Sequence, residues 1–170
     1  MRRLIAAAAC CALLLAAGIA CAQELRGTLT ANGKPGALKY AIAQEVDSTT
    51  EKGYMDVIVV LSDRKLRPAD ARSSERLEAM VRNEGLVALV VRLNPDAKVM
   101  SAEPLHSAFT TFVSSAAFIR WQPAAYDEKR VAGRFWTDGP QEAFRQQWSY
   151  DVTFTAPITL DPDAKTVPAK

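Results

Sequence analysis

The 170-residue chain is poor in the residues that most often carry chemistry. It has one His, His106, which excludes any site built on two imidazoles, such as the H-E-x-x-H zinc motif. Its three Cys are Cys10, Cys11 and Cys21, none of them later in the chain. It has almost no charge of either sign in excess. Lys+Arg number 21 and Asp+Glu 19, and a net of +2 offers no basic surface of the kind that holds nucleic acid. None of Asn32, Asn83 and Asn94 starts an N-x-S/T sequon. A P-loop, a dinucleotide fingerprint, an EF-hand loop and a G-x-S-x-G elbow are all missing. Apolar residues, by contrast, are plentiful. At 49% hydrophobic and 24% charged the chain is globular rather than disordered, and its length suits one domain with its own core.

Arg2 and Arg3 precede an uncharged stretch from Leu4 to Ala22. A basic start, an apolar middle and small residues at an A-x-A site describe a secretory signal peptide over 1–22. Ala20 and Ala22 are the small side chains the peptidase reads, with the cut after Ala22. Two rival readings use the same residues. An uncleaved anchor is disfavoured because Ala is far less apolar than Leu and the run ends in a cleavage site. Acylation of Cys21 as a lipoprotein is disfavoured by Gly18, which stands where a lipobox usually carries Leu. Cleavage leaves a chain without Cys, so disulfides, thiolate ligands and a Cys nucleophile are excluded. It also removes two arginines, leaving 21 − 2 = 19 basic side chains against 19 acidic ones. The expected location is periplasmic or secreted, with no stable membrane span after cleavage.

Strand signals dominate the rest. Leu25–Thr30 and Leu38–Ala43 alternate around the turn residues Asn32-Gly33-Lys34-Pro35-Gly36 and read as a hairpin. Val57–Leu61 and Leu86–Leu93 are almost continuously apolar, which means burial on both faces and central positions. Between them, 69–84 places Leu77, Met80 and Val81 on one side and predicts a helix, with Gly85 as its C-terminal cap and Leu86 beyond. The order strand, helix, strand suggests a crossover unit. Lys98–Glu103, Leu105–Val113, Phe118–Gln122, Val131–Thr137 and Trp148–Thr155 read as further strands. The expected fold is mainly β (α+β): about eight strands in a curved antiparallel sheet, closed as a barrel or sandwich, with one short helix. Residues 23–157 form the single domain, and 158–170 a flexible tail.

Candidate site residues are few. His106 is the one side chain with an ordinary pKa near neutrality, and any Ser-His-Asp chemistry needs it as base. The blander reading is a strand His at a sheet rim. Asp63 and Arg64 follow a buried strand, where charged groups either bind a ligand or end the strand in solvent. Arg120-Trp121 and Arg134-Phe135-Trp136 mix cations with aromatics. Arg134 and Trp136, two apart on a strand, share a face and can pair as cation and ring. Carboxylates are scattered singly, Asp56, Asp138 and Asp151 among them. No metal or cofactor is implied. The leading expectation is a non-enzymatic envelope domain that binds a protein partner or a small ligand, with Asp63, Arg64, Arg120, Arg134 and Trp136 as binding candidates. The rivals are a hydrolase-like enzyme using His106 as acid or base, and a structural subunit of an envelope assembly.

Overall fold

The structure, a computed structural model, describes residues 24–160. The expected leader with Ala20, Cys21 and Ala22, and the tail from 161 on, lie outside the described residues. The elements are β1 (Glu24–Ala31), β2 (Lys34–Leu38), β3 (Tyr40–Asp47), β4 (Met55–Ser62), α1 (Pro68–Ala71), α2 (Ser74–Glu84), β5 (Ala88–Leu93), β6 (Val99–Leu105), β7 (Arg120–Tyr126), β8 (Arg130–Trp136), β9 (Gln141–Ala143) and β10 (Gln146–Thr159).

The fold is mainly β: among the described residues ten strands form one mixed sheet, with two short helices. The strand order is β2–β1–β10–β3–β4–β5–β6, with β8 and β9 also on β10 and β7 on β8. The sheet is not closed as a barrel: β2, β6 and β7 each pair with a single strand. Nor is it wholly antiparallel, because Ile158 and Thr159 of β10 run parallel to Ala43 and Gln44 of β3. Glu24 of β1 lies opposite Thr155, and past that point β3 takes the place of β1 beside β10. Pro157 sits at this handover. Ile158 N–H donates to Lys129 O on the β8 side, so by alternation the missing N–H of Pro157 falls on the side where the neighbour changes. β10 thus runs two residues past the expected domain boundary.

The continuous apolar run of β4 does mark a central strand, between β3 and β5. Val57, Val59 and Leu61 face the larger core with Leu29, Val91, Phe135, Tyr150 and Val152. Val60 and Ile58 face the opposite way, against Leu66, Leu77, Val81 and Leu86 from the helical segment. Each buried Leu or Val contributes about 1.5–3 kcal/mol. The expected crossover is absent. β4 and β5 are antiparallel neighbours, Val57 opposite Leu93 and Ser62 opposite Ala88, and the helices bridge them as a long hairpin connection.

The single expected helix is two. Pro68 starts α1 with its fixed φ, and α2 begins afresh at Ser73, whose side chain accepts the Arg76 N–H at 3.2 Å. Gly85 closes α2 at φ 67°, with its N–H and that of Leu86 returning to Val81 O and Met80 O. The alternating stretch Leu105–Val113 is no strand beyond Leu105. Side chains bind its backbone instead of a neighbouring ladder: Gln146 Oε1 accepts Thr110 N–H at 2.6 Å, Gln146 Nε2 donates to Thr111 O at 2.7 Å, and Asn32 Nδ2 donates to Ala108 O at 2.8 Å.

Candidate functional site

The alternation of β10 divides its residues cleanly. Trp148, Tyr150, Val152, Phe154 and Ala156 are buried, which sends Asp151, Thr153 and Thr155 outward. Register then assembles an outer face from separate strands. Arg26 lies opposite Thr153, Thr153 opposite Arg134, and Arg134 opposite Gln122. The next row is Thr28, Asp151, Trp136 and Arg120.

Three of the sequence candidates meet on this face. Arg134 binds Asp151 through two hydrogen bonds, Nε to Oδ1 at 2.7 Å and Nη2 to Oδ2 at 2.6 Å. This pair holds the Asp151 carboxyl below the usual carboxylate range and raises the guanidinium further. The same guanidinium lies over the Trp136 ring, 5.0 Å from its centroid, the neighbour relation that strand spacing implied. It therefore takes a ring face that a sugar or base would need for stacking. Arg120, opposite Trp136, donates from Nε to Asp138 Oδ2 at 2.6 Å. Gln141 Nε2 donates to the Asp138 and Gly139 carbonyls and ties β9 to the turn that carries Asp138. The aromatic neighbours in sequence turn inward: Phe135 is buried, and Trp121 stacks on Phe135 and Phe154. Gly133 makes room for the Trp121 ring, since a Cβ there would fall 2.6 Å from it and 2.3 Å from Gln122 O.

Asp63 and Arg64 lie elsewhere, at the end of β4, and chiefly serve each other. Arg64 donates to both Asp63 oxygens at 3.1 Å, and Asp63 Oδ1 also accepts Val87 N–H at 3.3 Å. The carboxylate thereby fastens the strand end to the segment entering β5. His106 is buried just past β6. Its Nδ1 accepts Ala108 N–H at 2.9 Å, which leaves the proton of the neutral ring on Nε2. Among the described residues no carboxylate or hydroxyl hydrogen-bonds the imidazole. Burial, then the Lys34 ammonium, lower its affinity for a second proton, against a smaller opposing effect of Asp63.

Sequence reasoning singled out Asp63 but neither of the carboxylates that pair with Arg120 and Arg134. Asp138 and Asp151 are invisible without register, because their partners lie 18 and 17 positions away. Asp56 is the other surprise. It is fully buried, neither oxygen has a hydrogen bond, and its nearest cation is Arg92 Nη1 at 3.5 Å. Burial and the carboxylates of Asp56 and Glu45 push the Tyr126 phenol up to about 12, and its OH donates to Asn94 O at 2.8 Å. Among the described residues no three His, Cys, Asp or Glu side chains converge as a metal site would require. Shallow grooves of about 320 Å³ beside Glu24 and Arg26, and of about 220 Å³ between Tyr40 and Pro157, open on the surface.

No family model, no curated protein and no solved structure matches this chain.

Proposed function

We propose that this chain is an exported, non-enzymatic domain of the cell envelope that binds another protein on the outer face of β1, β10, β8 and β7. The carrying observation is the convergence of Arg120, Arg134 and Trp136, with Asp138 and Asp151, on a sheet face whose opposite side already forms the core. A face of paired charges around a half-buried indole, with a shallow groove beside Arg26 and Thr153, suits a protein surface better than a small ligand, which needs a concave and mostly apolar pocket. The larger apolar cluster joins β1, β8 and β10 to β4 and β5. It supports a sandwich-like folding of the open sheet on itself.

The enzyme reading draws little support from His106, whose Nδ1 is engaged by a backbone N–H. Assembly by strand addition draws little from edges that carry Pro35, Pro104 and Pro123 or, in β9, span only three residues. The test is a pull-down from envelope extract with the exported chain and with the R120A/R134A/W136A variant, both checked for equal thermal stability. The expected result is one partner, identified by mass spectrometry and lost with the variant. Turnover abolished by His106→Ala overturns the reading. Mass spectrometry of the exported form tests the leader: a chain beginning at Gln23 is expected, and a mass gain from acyl chains on Cys21 overturns it.

A further inference from the structure

Two hairpin tips of this fold share one turn geometry and differ in chemistry. Asn32-Gly33 joins β1 to β2 with φ 48° and 76°, and Phe144-Arg145 joins β9 to β10 with φ 50° and 61°. Positive φ at both central residues is the type I′ arrangement, which matches strand twist and favours Asn-Gly. An L side chain with a bulky Cβ substituent is strained there, and Phe is an outlier that the turn itself does not need.

The same two residues stand apart in their surroundings. Phe144 is 77% exposed, the most of any large hydrophobic side chain among the described residues. Arg145 has no hydrogen bond, ion pair or ring contact, whereas every other arginine among the described residues has one. The tip is nevertheless firmly mounted. Gln146 is buried and clamps Thr110 and Thr111, while Gln147 N–H donates to Asn32 Oδ1 and Asn32 N–H to Gln147 O, both at 2.8 Å. Through Gln141 and Asp138 the hairpin also continues the strip that carries Arg120.

We propose that Phe144-Arg145 is a preformed contact finger of the binding face, with Phe144 entering an apolar pocket of a protein partner and Arg145 meeting a carboxylate at the pocket rim. The inference rests on the binding reading above and names the anchor. Strain held at an exposed tip is a stability cost that contact with a partner explains and folding does not. Aromatic and Arg side chains are the usual anchors of protein interfaces, and a rigid mount reduces the ordering cost of binding. A lipid surface fits less well. One aromatic and one cation are too little for stable attachment, and exposed Glu142 on the same hairpin would face anionic headgroups.

The test replaces Phe144 by p-benzoylphenylalanine in the exported chain, irradiates it in envelope extract and maps the adducts by mass spectrometry. The expected adduct is a protein, joined at a peptide with apolar residues and an Asp or Glu. Unlabelled wild-type chain should compete for it, and F144N/R145G should compete about thirtyfold less well or worse. That variant restores the favoured turn, so its Tm should rise by several degrees, which separates lost contact from lost folding. Equal competition by the two chains, adducts to lipid alone, or no competed adduct overturns the proposal. A partner retained by F144N/R145G but lost by R120A/R134A/W136A rejects the finger and leaves the binding face standing. No partner for any of the chains rejects both.

Discussion

A carboxylate taken wholly out of water needs compensation, and Asp56 has little of it. Its only near cation among the described residues is Arg92 at 3.5 Å, itself held by a 3.0 Å hydrogen bond from Nη1 to Thr49 Oγ1. Removing that cation leaves a buried charge unanswered. Arg92→Ala should therefore lose about 3–5 kcal/mol in urea denaturation. The D56A/R92A double variant should recover a good part of the loss, and strictly additive losses would refute the coupling. His106 couples stability to pH. Burial and Lys34 hold its folded pKa below the unfolded value of about 6.5, so the unfolded chain takes up the proton first as pH falls. The stability it contributes is complete above about pH 6.5 and is lost as pH falls through the folded value. Unfolding free energy should thus fall from about pH 7 to about pH 5, and fall less steeply in His106→Gln; equal slopes would remove His106 as the cause.

At the scale of elements, local chemistry explains both the successes and the failures of sequence reading. Leu77 and Val81 are the buried residues of α2, and Gly85 stops it, because helical period and a left-handed cap are written in neighbouring residues. The break at Ser73 was written there too, as an N-cap residue three positions before Arg76, but the run of helix formers around it hid the signal. The cap is testable: Ser73→Ala should cost about 1 kcal/mol, read as a lower denaturation midpoint with unchanged m-value. The stretch after Leu105 fails for a different reason. Its alternation resembles a strand, yet strands need a partner ladder, and here Gln146 and Asn32 supply the backbone bonds from outside. Nothing within 106–113 announces a glutamine more than thirty positions away.

At the scale of the molecule, an open sheet has edges, and unpaired edges invite further strands. Of the four strands that pair on one side only, β2, β6 and β7 contain a proline, Pro35, Pro104 and Pro123, and β9 is only three residues long. Proline lacks the N–H that an added strand would use. Ser115 N–H also bonds Ala102 O and covers part of β6. The P104V/P123V variant should keep its fold and aggregate faster at equal concentration, by light scattering. An unchanged rate would mean that the prolines do not guard the edges.

The sequence alone determined the β-rich class, the doubly buried β4, the face of β10 that turns inward, and the helix with its glycine stop. All are local periodicities of apolar residues, and the hydrophobic effect acts on them without regard to topology. It also placed Arg134 beside Trp136, because strand neighbours two apart share a face. Only the tertiary structure decided which strands pair, where β10 changes partner from β1 to β3, and that Asp138 and Asp151 close onto Arg120 and Arg134. Register and strand order are set by packing between segments far apart in the chain, so no window of sequence contains them. The same holds for Phe144-Arg145: a turn between two short polar segments becomes an outlier only when β9 and β10 pair and force both residues to positive φ.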